Sequence, residues 1–163
     1  MKEAYGGTFL FNIVILFLLL FTGIMCLTIN RSKAFAVKDS IITAIEEAEG
    51  IDLTGTKDEG IEVKDIADIL NSHGYRTKGS CLDKYQGYSY DGERTLSSEN
   101  PSFCIKQVDK TKNDGFNNSD GEAGYYYSVM VFYNLDLPIL KSFFNFSITG
   151  ETITMYDKEF AGV

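Results

Sequence analysis

A chain of 163 residues can hold one modest domain beside an anchor, and is too short for two domains of ordinary size. Its 23 acidic and 15 basic side chains leave a formal net charge of −8, which speaks against a nucleic-acid-binding surface and against a polybasic grip on anionic lipids. One histidine supports no Ser-His-Asp arrangement, and neither a Cys/His metal spacing, a P-loop nor a dinucleotide fingerprint occurs. The composition therefore predicts neither an enzyme nor a bound metal or cofactor.

The first element is apolar. Thr8 to Ile29 is a run of 22 uncharged residues dense in Phe, Leu and Ile, and at about 1.5 Å per residue it covers the ~30 Å hydrocarbon layer of a bilayer. A secretory signal has a shorter apolar region and ends at a small-x-small site, which Cys26-Leu27-Thr28 fits poorly. Residues 1–30 are thus expected to be a short tail and a transmembrane helix, and membrane lipid is the first expected partner. The rest, 31–163, is expected to form a globular domain outside the cytoplasm. Arg31, Lys33 and Lys38 follow the span while Lys2 alone precedes it, so the positive-inside rule taken by itself favours a cytoplasmic body. Against it stand the very short N-terminal tail, a domain long enough to cross largely regardless of loop charge, and a cysteine pair.

Past the span, Ala34, Val37, Ile41, Ile45 and Ala48 recur every three or four residues with charges between them, which predicts that the helix continues as an amphipathic one over 31–50. Gly50 is the expected stop, taking the left-handed conformation. The acidic residues crowded between Asp39 and Asp68, ten against Lys57 and Lys64, read as a solvated face. After a connection over Ile51 to Gly60, Ile66, Ile69 and Leu70 suit a second helix over 61–74. His73, beside Gly74, is placed to touch the last carbonyls of that helix.

From 75 to 163 antiparallel strands and loops are expected. Tyr75 to Lys78 reads as a short strand, Lys84 to Pro101 as a polar loop turning at Asp91-Gly92, and Ser102 to Val108 as a strand. Asp109 to Gly124 has no hydrophobic period and reads as a connection. Its Asp109, Asn113, Asp114, Asp120 and Glu122 fail the EF-hand spacing, so metal binding is not expected. Tyr125 to Leu135 is the strongest strand signal. Leu137-Pro138-Ile139-Leu140 interrupts it, and Phe143 to Tyr156 resumes with Gly150 at a turn or bulge. Tyr127, Val129, Val131 and Tyr133 share one face of the long strand, with Ser128, Met130 and Phe132 on the other, so the amphipathic helix is the available cover for an apolar face.

Of the three cysteines, Cys26 lies in the apolar run. Cys81 and Cys104 lie in the polar body, and these two are expected to pair in an oxidising compartment, the alternative being two unrelated thiols.

A long N-terminal helix, half membrane anchor and half support for a small antiparallel sheet, resembles the type IV pilins and pseudopilins, an α+β architecture. The N-terminus extends the likeness: Lys2, then Gly6-Gly7, then Thr8-Phe9-Leu10-Phe11-Asn12 is similar to the basic leader, glycine and apolar run that prepilin peptidases recognise. The resemblance implies processing between Gly7 and Thr8, which makes Asn12 the fifth mature residue. Pilins usually carry Glu there, and Asn12 can hydrogen-bond but cannot neutralise a neighbour's terminal ammonium. The same two glycines also suit a flexible lead-in to a membrane helix.

Within that group the chain resembles the TadE-like minor pilin proteins, through Val129-Met-Val-Phe-Tyr-Asn-Leu-Asp-Leu-Pro138 and Phe144-Asn-Phe-Ser-Ile-Thr-Gly150. The likeness covers the anchor and the C-terminal 35 residues. It implies a non-catalytic, membrane-anchored component of a pilus, secretion or conjugation apparatus at the cell surface, whose partners are other single-pass pilin-like or assembly proteins met through the N-terminal helix. Asn12, Thr22 and Gly23 offer small or polar groups for such contacts. The alternative is an anchored extracellular ligand-binding or adhesion domain that uses the tyrosines between Tyr85 and Tyr90 as its surface.

Overall fold

The computed structural model describes residues 2–52, 60–95, 100–109, 124–134 and 145–156. A helix α1, Lys2–Glu47, is followed by strands β1 (Ile51–Asp52) and β2 (Ile61–Glu62), helix α2 (Val63–Ser72), and strands β3 (Gln86–Tyr88), β4 (Arg94–Thr95), β5 (Phe103–Asp109), β6 (Gly124–Asn134), β7 (Asn145–Glu151) and β8 (Met155–Tyr156). The architecture is α+β, one long helix packed on an antiparallel sheet.

No proline or charge-dense break interrupts α1, so it runs unbroken for 46 residues, about 69 Å at ideal rise. It turns at Glu49, which takes the left-handed φ of 55° expected of Gly50, while Gly50 itself has φ 150°. The Gly50 amide donates to the Ile45 carbonyl, closing the end of the helix. Gly50 then serves the next element: its carbonyl accepts from Ile61, setting β2 parallel to β1.

The main sheet has the order β4-β3-β5-β6-β7, with β8 joining β6 beyond the end of β7. Every pairing within it is antiparallel. Helix α1 lies along β6. Asn30 meets Asn134 at one end, and the Ile51 amide meets the Tyr127 hydroxyl near the other. The match is dimensional, since twenty helical steps from Asn30 to Gly50 cover about 30 Å and the ten strand steps of β6 about 34 Å.

The stripe Ala34, Val37, Ile41 and Ile45 is buried against Tyr127, Val129 and Val131, as the spacing predicts. Val63, Ile66 and Leu70 of α2 join the same core. This helix is shorter than 61–74 because its first two residues are drawn into β2. The opposite face of β6 is covered as well: Met130, Phe132 and Cys104 pack with Cys81 and Tyr85.

Several local expectations are corrected. Tyr75 to Lys78 is not a strand; Tyr75 instead turns inward, its hydroxyl donating to the Phe132 carbonyl and accepting from the Phe132 amide, both at 2.7 Å. Strand β5 starts at Phe103 opposite Val131, and the tyrosine takes up the next backbone groups of β6. Within the expected loop from Lys84 to Pro101, β3 and β4 form a hairpin around Asp91-Gly92. Gly150 is neither turn nor bulge, because it pairs with Val129, and a Cβ there would come within 2.8 Å of side-chain atoms of Ile42 and Lys38. The break falls at Thr152–Thr154, where the Thr152 hydroxyl accepts from the Tyr127 amide and Glu46 of α1 accepts from the Ile153 amide. The His73 ring reaches Ser40 of α1 at 3.2 Å rather than the α2 carbonyls. The Leu137–Leu140 interruption, the candidate oxygen ligands Asn113, Asp114, Asp120 and Glu122, and most of the two connections lie outside the described residues.

Candidate functional site

The chemistry of this chain is divided along α1. Its first half is exposed: Phe9 is 69 % accessible and Phe17 67 %, whereas Val37 and Ile41 in the second half are at most 1 % accessible. An exposed run this long is far beyond the scattered apolar side chains of ordinary surfaces. The helix is long and apolar enough to cross a membrane. Its polar groups fit an apolar medium, because the Thr22 and Thr28 hydroxyls donate to the Leu18 and Ile24 carbonyls one turn back, at 2.8 and 2.9 Å. Thr22 is thus spent on its own helix, which weakens it as a contact to another.

Gly7, Thr8 and Asn12 all lie on the exposed part of α1. The helix passes through Gly7 without a break, and a Cβ there would meet nothing within 4 Å, so neither packing nor backbone geometry calls for glycine.

Cys81 and Cys104 form a disulfide, with Cα atoms 5.8 Å apart and a sequence separation of 23. It fastens the segment from Gly79 to Tyr85 across the outer face of the sheet. That segment lies so close that a Cβ on Gly79 would overlap the Phe132 ring. The Tyr85 hydroxyl completes the cover by meeting Ser128 Oγ at 2.7 Å.

The tyrosines between 85 and 90 are not a free contact surface. Tyr88 is buried and stacks on Phe103, and Tyr85 and Tyr90 are half-buried. Burial pushes the hydroxyls of Tyr75, Tyr88 and Tyr90 above the usual tyrosine value. Tyrosines are poor discriminators in sequence, since the same ring and hydroxyl serve a core hydrogen bond as well as an interface.

Where α1 meets the body, a cleft of about 220 Å³ is lined by Asn30, Lys33, Gly74, Tyr75, Arg76, Thr77 and Asn134. Asn30 closes it on one side, its Nδ2 donating to the Asn134 carbonyl at 2.8 Å. On the adjoining flank of the helix, Arg31 and Lys38 both lie over the Phe35 ring, at 5.4 and 4.9 Å from its centroid. In the sequence Lys33 is only a topology signal. Its partner Arg76 is 43 residues away, and nothing in local spacing joins them.

Among the described residues, no group of three or more His, Cys, Asp and Glu side chains gathers in a way that could hold a metal ion. Comparison with protein-family models, with curated proteins and with solved structures finds no match to this chain.

Proposed function

We propose that this chain is a non-catalytic, single-pass membrane protein of the pilin-like, TadE-like kind, serving a pilus, secretion or conjugation apparatus with its body on the extracytoplasmic side. The observation that carries this reading is the continuity of α1, one helix whose first half is exposed and apolar and whose second half is the spine of the body. Such a helix transmits the position of the body rigidly to whatever holds the membrane half, because no hinge residue separates the two. The disulfide supports an oxidising compartment for the body. Within the membrane half, Gly7 has no packing role in this chain, in keeping with recognition by a processing peptidase acting between Gly7 and Thr8. Asn12 distinguishes the chain from filament-forming pilins, and suits an accessory subunit better than a major one.

The reading is tested by placing a photo-cross-linking residue at Phe17, on the exposed helix, in the full chain in its host membrane. Adducts to other single-pass proteins are expected, and the same probe at Ile153 on the body should give a different set. Adducts to lipid alone from Phe17 would contradict an assembly role for the helix.

A further inference from the structure

The net charge of −8 conceals a local reversal. Acidic residues crowd between Asp39 and Asp68, yet the described residues that line the cleft at the foot of the body include two cations, Lys33 and Arg76, and no acidic side chain. Both side chains are exposed. Depth along the helix is what gives this arrangement meaning. The uncharged run ends at Ile29 and the cleft begins at Asn30. In a bilayer spanned by Thr8 to Ile29, the cleft opens at the level of the phospholipid headgroups. The basic residues Arg31 and Lys38 lie over the Phe35 ring on the other flank, Lys38 also paired with Asp39 at 2.9 Å.

We propose that this cleft is a binding site for the phosphate of an anionic phospholipid headgroup, held between Lys33 of α1 and Arg76 of the segment after α2. This inference rests on the membrane-spanning reading of α1. Chemistry and size agree with it. Arg presents a planar fork suited to two phosphate oxygens and Lys a mobile point charge, while Thr77 places a hydroxyl in the same lining. The cleft is smaller than the ~300–1,000 Å³ of pockets that take drug-sized ligands, which suits a compact headgroup phosphate. Asn30 is spent on the Asn134 carbonyl, so it fixes the wall and leaves binding to the cations. The consequence is orientation: a lipid bridging α1 and the segment after α2 would pin the body at one rotation about the membrane normal.

The test uses the full chain in nanodiscs containing equal phosphatidylglycerol and phosphatidylcholine, with lipids retained after extraction counted by native mass spectrometry. Three forms are compared: the unaltered protein, Lys33→Gln/Arg76→Gln, and Arg31→Gln/Lys38→Gln as a charge-matched control. The unaltered protein and the control should retain phosphatidylglycerol in preference. The cleft variant should lose that preference by roughly 30-fold, the scale set by two cations at an anionic surface. Equal losses in both variants would mean general charge attraction and would overturn the site. Displacement of the lipid by millimolar glycerol phosphate would reassign the cleft to a soluble anion. Carbonate extraction separates the two levels of failure. A chain that washes out of the bilayer removes the anchor reading and this inference together, whereas one that stays without discriminating lipids removes the inference alone.

Discussion

Tyr75 is the residue whose role is furthest from its sequence signature. It follows a helix-ending glycine in a polar stretch that suggests a strand, yet its hydroxyl serves as donor and acceptor to the same β6 residue, Phe132. Tyr75→Phe leaves both backbone groups without that partner in a buried setting, and a loss of about 1–3 kcal/mol in unfolding free energy is expected. A second consequence is alkaline sensitivity. Burial raises the folded-state pKa of Tyr75 above the ordinary tyrosine value of 10.0, so above that pH the unfolded chain releases a proton that the folded chain retains. Stability from this group is complete below pH 10 and declines as pH rises beyond it. Urea midpoints measured between pH 9 and 11.5 should fall with pH, less steeply in Tyr75→Phe. Parallel slopes in the two proteins would remove Tyr75 as the cause.

At the scale of elements, periodicity carried most of the information. Ala34, Val37, Ile41 and Ile45 announce the buried stripe of α1, and the alternation from Tyr127 to Tyr133 announces β6 and its two faces. What escaped was short or long-range. Strands β3 and β4 have three and two residues, too few for a period to show, and the surrounding Gly, Ser and Asp read as loop. Gly150 looks like a break because glycine is rare inside strands, yet here it makes room for Ile42 and Lys38 of α1, a contact more than a hundred residues away in sequence. The cover on the second face of the sheet was hidden for the same reason, since the Gly79 to Tyr85 segment has no hydrophobic run and is held by a covalent bond. Removing that bond by Cys81→Ser/Cys104→Ser should cost the body about 3 kcal/mol, the chain entropy of a loop of this length. It should also open the cluster around Met130 and Phe132 to hydrogen exchange before the α1 side of the sheet. Simultaneous loss of protection on both faces would show that the segment is not a separable cover.

For the whole molecule, the fold was legible because its three parts carry different patterns: an uncharged run, then an amphipathic stripe, then alternating strands. The cleft at their junction was not. Lys33 and Arg76 are ordinary exposed cations in sequence, and become a pair only because β6 brings Asn134 to Asn30 and Tyr75 docks on Phe132 beside them. The same geometry fixes the order of parts along the helix axis, with the exposed apolar half first, the cationic level next, and the disulfide-fastened body beyond. On the proposed reading α1 spans the membrane, and of these parts it is the disulfide that favours a body outside the cytoplasm.

The most direct test of that placement is thiol labelling of intact cells with a membrane-impermeant reagent, on the full chain carrying Cys26→Ala, with and without prior reduction. The account predicts labelling of Cys81 and Cys104 only after reduction, with no need to break the cells. Labelling that requires lysis would place the body in the cytoplasm and contradict it.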